Sequence, residues 1–188
     1  MNSFKAWLKK LKEAASGHPG IDFTDLQGDF TPRAQTMVDL AHKHAVRLNH
    51  PFLGSEHLLL GLMELGQGVA VNVLKRFGVE LESLRQEVER CVDRGGGNGP
   101  IESPPFSPGV KEVFSLAKKE AATLHHTYIG TEHLLLGLLS DREGVVARVL
   151  KRSNVELNHA RQEILRELDP NFGVNDDDQS GEGKKEEV

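Results

Sequence analysis

The sequence contains one cysteine, Cys91, and only 5% of its residues are aromatic. A single cysteine cannot form a disulfide within the chain, so we expect a reducing compartment and predict a cytoplasmic protein. No base lies near Cys91 in the sequence to activate its thiol, which argues against a cysteine nucleophile.

The chain also lacks an excess of positive charge and a long apolar run. Its formal net charge is −5, so we expect no domain-wide basic surface that would contact nucleic-acid phosphates. No apolar run approaches the roughly 18 residues that a membrane span requires, and there is no signal-peptide core. We therefore expect neither a nucleic acid nor a membrane among the partners.

Motifs for catalysis and for metal binding are missing as well. There is no phosphate-binding G-x-x-x-x-G-K-[ST] loop, no G-x-S-x-G nucleophile elbow and no H-E-x-x-H or Cys/His metal spacing. Nine histidines are present, but His42 and His44 lie on different faces of a predicted helix. We predict no catalytic residue, no metal site and no cofactor, and therefore no enzyme.

An internal duplication is the main positive feature of the sequence. Residues 54–62 read GSEHLLLGL and residues 130–138 read GTEHLLLGL. A shift of 76 residues aligns 30–90 with 106–166 without a gap, with 29 identities in 61 positions. Such similarity over so long a stretch indicates a repeated structural unit.

Each repeat has signals for four helices. The first helix begins at Thr31 or Ser107, where a hydroxyl N-cap precedes proline at the first helical position. The second is predicted to begin at a hydroxyl cap, Ser55 or Thr131, and its leucine-rich sequence indicates a buried helix. The glycine inside this second helix is expected to permit the close approach of another helix.

The remaining two helices of each repeat are shorter. The third follows Gly68 or Gly144 and ends near Phe77-Gly78 or Ser153-Asn154, where glycine and asparagine suit a C-terminal cap. The fourth covers roughly 80–92 and 156–168. Alternating strand patterns are missing from the sequence. We therefore predict an all-α fold of eight core helices, arranged as two pseudo-symmetric four-helix repeats.

The predicted segments of the chain differ in composition. The helix predicted within the first segment is basic and amphipathic, and it would pack on the protein itself, on a partner or on an anionic surface. In chain order the segments are an amphipathic helix and linker at 1–29, repeat 1 at 30–93, a Gly/Pro linker at 94–105, repeat 2 at 106–168, and an acidic tail, predicted to be disordered, at 169–188.

The sequence resembles the Clp N-terminal domain, the helical double-repeat module of Clp/Hsp100 ATPases, and is most similar to that of ClpC-type unfoldases. Three features carry the resemblance: the phrase G-[ST]-E-H-L-L-L-G-L, an F-[ST]-P helix start 24 residues before it, and the duplication. The resemblance covers residues 30–168. It implies a fold of two helical repeats and the binding of client proteins and adaptor proteins.

ClpC-type proteins continue into two ATPase modules, whose phosphate-binding loops this sequence lacks. We therefore expect a stand-alone Clp N-domain protein that modulates a Clp unfoldase–protease, with Clp components, adaptors and clients as its partners. One alternative is the N-terminal fragment of an ATP-dependent unfoldase subunit. Another is a structural accessory subunit that docks on the protease core.

The resemblance also implies candidate binding residues, because some family members recognise phosphoarginine as a degradation mark. Thr31 and Arg33 would bind the phosphoryl group of one ligand, and Glu56 its guanidinium. Ser107 and Glu132 would do the same in the second repeat. The chemistry is consistent with this, because helix N-termini bind phosphate and carboxylates bind guanidinium.

The second repeat departs from the family pattern, because Gly109 replaces the arginine found at position 33. We therefore expect the tighter site in the first repeat, with Glu56→Ala weakening binding more than Glu132→Ala. The alternative without a ligand explains both glutamates as helix-start residues, which the helix dipole stabilises by up to about 1 kcal/mol.

Overall fold

The computed structural model describes residues 29–92, 101–141 and 144–169, and residue 172. Within these residues it contains eight α-helices and no strand longer than an isolated bridge. The amphipathic helix predicted within residues 1–29, part of the linker and nearly all of the acidic tail lie outside the described residues.

The eight helices are divided equally between the repeats. This confirms the all-α class and the two four-helix units predicted from the sequence. In chain order the helices are α1 Pro32–Arg47, α2 Ser55–Leu65, α3 Val69–Arg76, α4 Leu81–Cys91, α5 Pro108–Thr123, α6 Thr131–Ser140, α7 Val145–Arg152 and α8 Leu157–Leu168.

The first helix of each repeat begins where its local chemistry predicts. The Thr31 hydroxyl accepts a hydrogen bond from the backbone N–H of Ala34 at 3.2 Å, and the Ser107 hydroxyl accepts one from Val110 at 3.2 Å. Proline occupies the first helical position in both cases. Both predicted N-caps are therefore confirmed.

The start of the second helix was predicted one residue too late. Ser55 and Thr131 are the first helical residues, and the N-caps are Gly54 and Gly130. The polar partner at this end is an imidazole: Nδ1 of His57 accepts a hydrogen bond from the Gly54 N–H at 2.8 Å. The equivalent histidine of α6 makes the same bond at 2.9 Å. A side chain reaching back from the third helical residue therefore replaces the predicted hydroxyl cap.

The ends of the third helices are as predicted. Gly78 follows α3 with φ +73°, and Asn154 follows α7 with φ +59°. Glycine and asparagine adopt this left-handed conformation at lower cost than other residues, so they suit the C-terminal end of a helix.

The helices α2 and α6 form the centre of the core, and the glycine in each allows close packing. A Cβ built on Gly61 would lie 2.8 Å from the backbone nitrogen of Ala41 in α1. One built on Gly137 would lie 2.5 Å from the carbonyl oxygen of Val113 in α5. These contacts confirm the predicted reason for glycine, since the neighbouring atoms belong to the backbone of another helix.

No single helix among the described residues is long and apolar enough to cross a membrane. The helices α2 and α3 reach sufficient length only as a pair bent by 90°. The leucines of α2 that make this pair apolar are buried in the core.

Two short backbone pairings join the repeats about a pseudo-twofold axis. Phe30 forms a parallel bridge with Ile129, and Leu53 forms one with Phe106. Phe30 and Phe106 both make edge contacts with the ring of Phe114, at centroid distances of 5.5 and 5.2 Å. The segments that precede the helices are thus anchored on one aromatic cluster between the repeats.

Ion pairs also cross between the repeats at positions related by the 76-residue shift. Arg152 of α7 lies 3.5 Å from Glu87 of α4, and Arg76 of α3 lies 3.5 Å from Glu163 of α8. Arg76 pairs with Glu167 of α8 as well. The last helix of each repeat is therefore tied to the third helix of the other.

Candidate functional site

The structure assembles the predicted site residues across the two repeats. The Thr31 N–H donates to the carbonyl of Ile129 at 3.0 Å, and the Ser107 N–H donates to the carbonyl of Leu53 at 2.9 Å. Ile129 directly precedes the N-cap of α6, and Leu53 directly precedes the N-cap of α2. Because both bridges are parallel, α1 begins beside α6 and α5 begins beside α2.

This arrangement favours a pairing of helix starts across the repeats, which differs from the pairing predicted within each repeat. Thr31 and Arg33 lie at the start of the helix that carries Glu132, and Ser107 lies at the start of the helix that carries Glu56. We define site 1 as Thr31, Arg33 and Glu132, and site 2 as Ser107 and Glu56. The physical reason is that each segment before a helix finds its backbone hydrogen-bond partner in the other repeat.

Arg33 belongs to site 1 by position as well as by charge. It is the second residue of α1 and is exposed. A Cβ built on Gly68 would lie 3.7 Å from Cδ of Arg33 and 3.2 Å from Oγ1 of Thr131. The arginine stem, the turn before α3 and the start of α6 therefore meet at one place. Thr131 is a site neighbour that the sequence indicated only as a helix cap.

The glutamate of site 1 is nearly removed from solvent. The side chain of Glu132 is 8% exposed, whereas that of Glu56 is 23% exposed. The Thr131 hydroxyl donates to Glu132 Oε2 at a long 3.4 Å. Nδ1 of His57 lies 3.2 Å from the carboxylate of Glu56, and Nδ1 of His133 lies 3.6 Å from that of Glu132. Within the described part of the chain, no lysine or arginine pairs with either carboxylate.

The two histidine contacts do not neutralise the glutamates. Nδ1 of each histidine already accepts the N-cap N–H, so the ring proton is on Nε2. That nitrogen donates to His50 at 2.7 Å in the first repeat and to His126 at 2.9 Å in the second. Burial, followed by the charge of neighbouring histidines, lowers the pKa of His57 to about 3 and that of His133 to about 4. Both rings are therefore neutral near pH 7.

Glu56 is buried at an electrostatic cost. Burial raises the pKa of its carboxyl, while its own backbone N–H and the charge of His50 act in the opposite direction. A buried carboxylate without a cationic partner is unfavourable. A bound guanidinium would supply the missing charge and would form two parallel hydrogen bonds.

Each site combines a carboxylate with helix N-termini, which favour the binding of an anion. Two helix N-termini converge at each site, and each carries a partial positive charge and unpaired N–H groups. Site 1 adds the guanidinium of Arg33, whereas Gly109 stands at the equivalent position of site 2. Such a site suits a ligand that carries an anionic group and a cationic group close together.

One group of side chains resembles a metal site by distance. Donor atoms of His50, Glu56 and His57 lie within 4.8 Å of one another. Both ring nitrogens of His57 are already hydrogen-bonded, to Gly54 and to His50. A metal ion would have to break one of these bonds, so the geometry favours paired histidines over metal ligands.

An exposed aromatic residue precedes each site at equivalent positions, and the sequence analysis did not identify either one. Phe52 is 52% exposed and Tyr128 is 39% exposed. The ring of Tyr128 stacks on that of His126 at 4.9 Å. Its ring also lies 5.8 Å from that of His133, and burial and the charge of Glu132 raise the pKa of Tyr128. The signal that could have revealed this pair is the shift of 76 residues, which aligns Phe52 with Tyr128.

The fold and the duplicated helix starts define a Clp-type N-terminal module. The family model of the Clp repeat (R) N-terminal domain matches residues 29–153 and 106–182. The chain belongs to this family, and the resemblance inferred from its sequence is confirmed.

Curated relatives support the same assignment. The chain is 47% identical over 140 residues to a probable ATP-dependent Clp protease ATP-binding subunit of Chlamydia pneumoniae, which covers 74% of this chain and 17% of the relative. It is 44% identical over 144 residues to the negative regulator of genetic competence ClpC/MecB of Bacillus subtilis. That match covers 77% of this chain and 18% of the relative. The chain therefore matches less than a fifth of the length of these relatives.

Solved structures agree with the fold. The N-terminal domain of the chaperone ClpD from Arabidopsis thaliana has a TM-score of 0.59 at 28% identity, covering 75% of this chain and 95% of that one. The N-domain of ClpV from Vibrio cholerae has a TM-score of 0.67 at 18% identity, covering 80% and 90%. A further ClpV N-domain, with a TM-score of 0.62 at 18% identity over 78% of this chain and 94% of that one, is in complex with a VipB peptide.

Proposed function

We propose that this chain is a non-enzymatic receptor module that binds client or adaptor proteins for a Clp unfoldase–protease in the cytoplasm. Its ligand at sites 1 and 2 is an arginine side chain that carries a phosphoryl group. The main support is the carboxylate of Glu132, which is nearly buried, lacks a cationic partner among the described residues, and lies where two helices begin.

Phosphoarginine fits both halves of this arrangement. Its phosphoryl group would bind the free N–H groups at the helix starts, and its guanidinium would bind the glutamate. A neutral peptide segment would leave the carboxylate unpaired. Peptide binding by a related module, the ClpV N-domain with its VipB peptide, supports the more general role of a receptor for protein segments.

Site 1 is proposed to be the tighter of the two sites. It contains Arg33 and the more deeply buried glutamate, and electrostatic attraction is stronger where solvent is excluded. Because the sites are assembled across the repeats, the glutamate that contributes most is Glu132 of the second repeat. This reverses the order of the two glutamates that was expected from pairing within a repeat.

Calorimetric titration of free phosphoarginine tests this order. We expect Glu132→Gln to lose roughly 10- to 100-fold in affinity for phosphoarginine, because the variant loses a hydrogen bond to a charged group. Glu56→Gln should affect only a second, weaker site. Arginine and phosphoserine serve as ligand controls, since each carries only one half of the ligand. Glu112→Gln, an exposed change on α5, is the matched protein control.

Three results would contradict the proposal. Equal binding of phosphoarginine by Glu132→Gln and the parent protein would remove Glu132 from the site. A larger loss in Glu56→Gln would restore the pairing within each repeat. The absence of any phosphoarginine binding would reject the ligand and would leave the general docking of protein segments as the function to test by pull-down.

We further propose that the module delivers clients to the unfoldase or withholds them from it. It would do so either as a separate chain or as the N-terminal part of an ATP-dependent unfoldase subunit, since the chain matches less than a fifth of the length of its relatives. An immunoblot of cell extract distinguishes them, since the separate chain has a mass of 20.7 kDa. Co-purification with the peptidase ring in cells without the unfoldase would instead indicate an accessory subunit of the protease core.

A further inference from the structure

The N-cap glycines Gly54 and Gly130 occupy a position at which other residues are usual. Serine, threonine, aspartate and asparagine are preferred as N-caps because their side chains accept a helix N–H. The backbone does not require glycine here: φ and ψ are −96° and 174° at Gly54, and −94° and 179° at Gly130. These are extended angles that any L-residue adopts.

The space beside these glycines is taken by the site glutamates. A Cβ built on Gly54 would lie 2.5 Å from Cδ of Glu56, and one built on Gly130 would lie 2.5 Å from Cδ of Glu132. The carboxylate oxygens also lie within contact distance of the built atoms. In both repeats the glutamate thus folds back over the Cα of the N-cap and rests where a side chain would otherwise be.

We infer that Gly54 and Gly130 are positioning residues that hold the two glutamate carboxylates over the helix starts. The inference rests on the proposed function, in which those carboxylates bind the guanidinium of the ligand. Any Cβ at the N-cap would force the carboxylate to rotate away from the neighbouring helix start. The distance between the cation-binding and anion-binding halves of the site would then no longer match the ligand.

These glycines differ from the others that the fold requires. At Gly61 the built Cβ meets the backbone of another helix, so a side chain there disturbs packing. Gly78 has φ +73° and open space around it, so a side chain there strains the backbone only. At Gly54 and Gly130 the obstacle is the end of a flexible side chain, so alanine is expected to change the site and leave the fold intact.

The experiment compares Gly130→Ala with Gly78→Ala in the full chain. We expect Gly130→Ala to lose at least tenfold in affinity for phosphoarginine with little change in Tm. We expect Gly78→Ala to lower Tm by about 2–4 °C, because alanine is strained in the left-handed conformation that Gly78 adopts. Its affinity for phosphoarginine should stay at the parental value. Gly54→Ala should weaken site 2 alone.

A second readout does not depend on the ligand. The chemical shift of the Glu132 carboxyl carbon is measured by NMR at one fixed pH in the parent protein and in Gly130→Ala, and it should change when the carboxylate leaves its position. A merely structural role of the glycine would change Tm and leave that chemical shift unaltered.

The outcomes separate this inference from the proposed function. If the parent protein binds phosphoarginine and Gly130→Ala binds it equally well, the glycine has no positioning role, while the function stands. If the parent protein does not bind phosphoarginine, the proposed ligand is rejected and the NMR comparison alone decides. An unchanged chemical shift of the Glu132 carboxyl carbon in Gly130→Ala then overturns the inference, and a changed one supports it.

Discussion

At the scale of single residues, two histidines organise the helix starts at which the sites lie. His57 and His133 each accept the N-cap N–H through Nδ1 and donate through Nε2 to a second histidine. Both rings are fully buried. Because every polar atom of these rings has a partner, they can stay neutral inside the protein.

Protonation of these histidines is expected to make stability depend on pH. In the unfolded chain a histidine binds a proton near pH 6.5, but in the folded protein the pKa is about 3 for His57 and about 4 for His133. The unfolded state therefore binds more protons below pH 6.5, and the free energy of unfolding falls as pH decreases. Each histidine contributes up to about 1.4 kcal/mol per pH unit.

Urea unfolding between pH 7 and pH 5.5 measures this effect. Glu56 and Asp39, whose pKa values burial raises, act in the opposite direction, because their carboxyls bind protons more readily in the folded protein than in the unfolded chain. The variant His57→Gln/His133→Gln should be less stable at pH 7, but its free energy of unfolding should fall less steeply as pH decreases. Some slope should remain from His42 and His44, whose pKa values burial also lowers. An unaltered slope in the variant would exclude His57 and His133 as its source.

At the scale of secondary-structure elements, the packing of α1 on α2 and of α5 on α6 depends on one glycine in each pair. The atoms that approach Gly61 and Gly137 belong to the backbone of the neighbouring helix. Backbone atoms cannot move aside as the end of a side chain can, so these crossings tolerate no larger residue.

Alanine at Gly61 is therefore expected to destabilise the protein, although alanine favours helices. Overpacking of this kind costs about 1–3 kcal/mol, which exceeds the gain in helix propensity. The matched control is Gly109→Ala in α5, where the built Cβ meets only the Ser107 hydroxyl at 3.8 Å. There we expect a gain of about 0.4–1 kcal/mol. Chemical unfolding of both variants checks the opposite signs, and a stabilising Gly61→Ala would contradict the close crossing.

At the scale of the whole molecule, the two repeats form one unit because each completes the other. Backbone bridges, the ring contact between Phe30 and Phe114, and the ion pairs of Arg76 and Arg152 all cross between the repeats. Exposed ion pairs contribute only about 0–1 kcal/mol each. We therefore attribute most of the association to the buried apolar residues of the common core.

A chain cut in its linker is expected to stay together and to bind ligand. Insertion of a protease site between residues 94 and 99, followed by cleavage, should give two fragments that elute as one species in size-exclusion chromatography. Phosphoarginine affinity should match that of the uncut protein, because each site needs both halves. Separation of the fragments without loss of binding would contradict sites assembled across the repeats.

The helices themselves were predictable because their signals act over a few residues. The hydroxyl caps Thr31 and Ser107 and the helix-ending residues Gly78 and Asn154 work within one turn of the chain, so the sequence alone indicates them. The start of α2 was predicted one residue late because the capping group is the imidazole of His57. The hydroxyl of Ser55 is a more common N-cap group, so the sequence favoured position 55 as the cap.

The sequence by itself determined the duplication, the eight-helix fold and the residue types of the candidate sites. Tertiary structure alone decided which helix starts lie side by side. The repeats are so alike that Thr31 could have met either glutamate, and spacing along the chain does not distinguish the two. The choice was made by the backbone of Thr31 and Ser107, since their N–H groups find their acceptors, Ile129 and Leu53, in the opposite repeat.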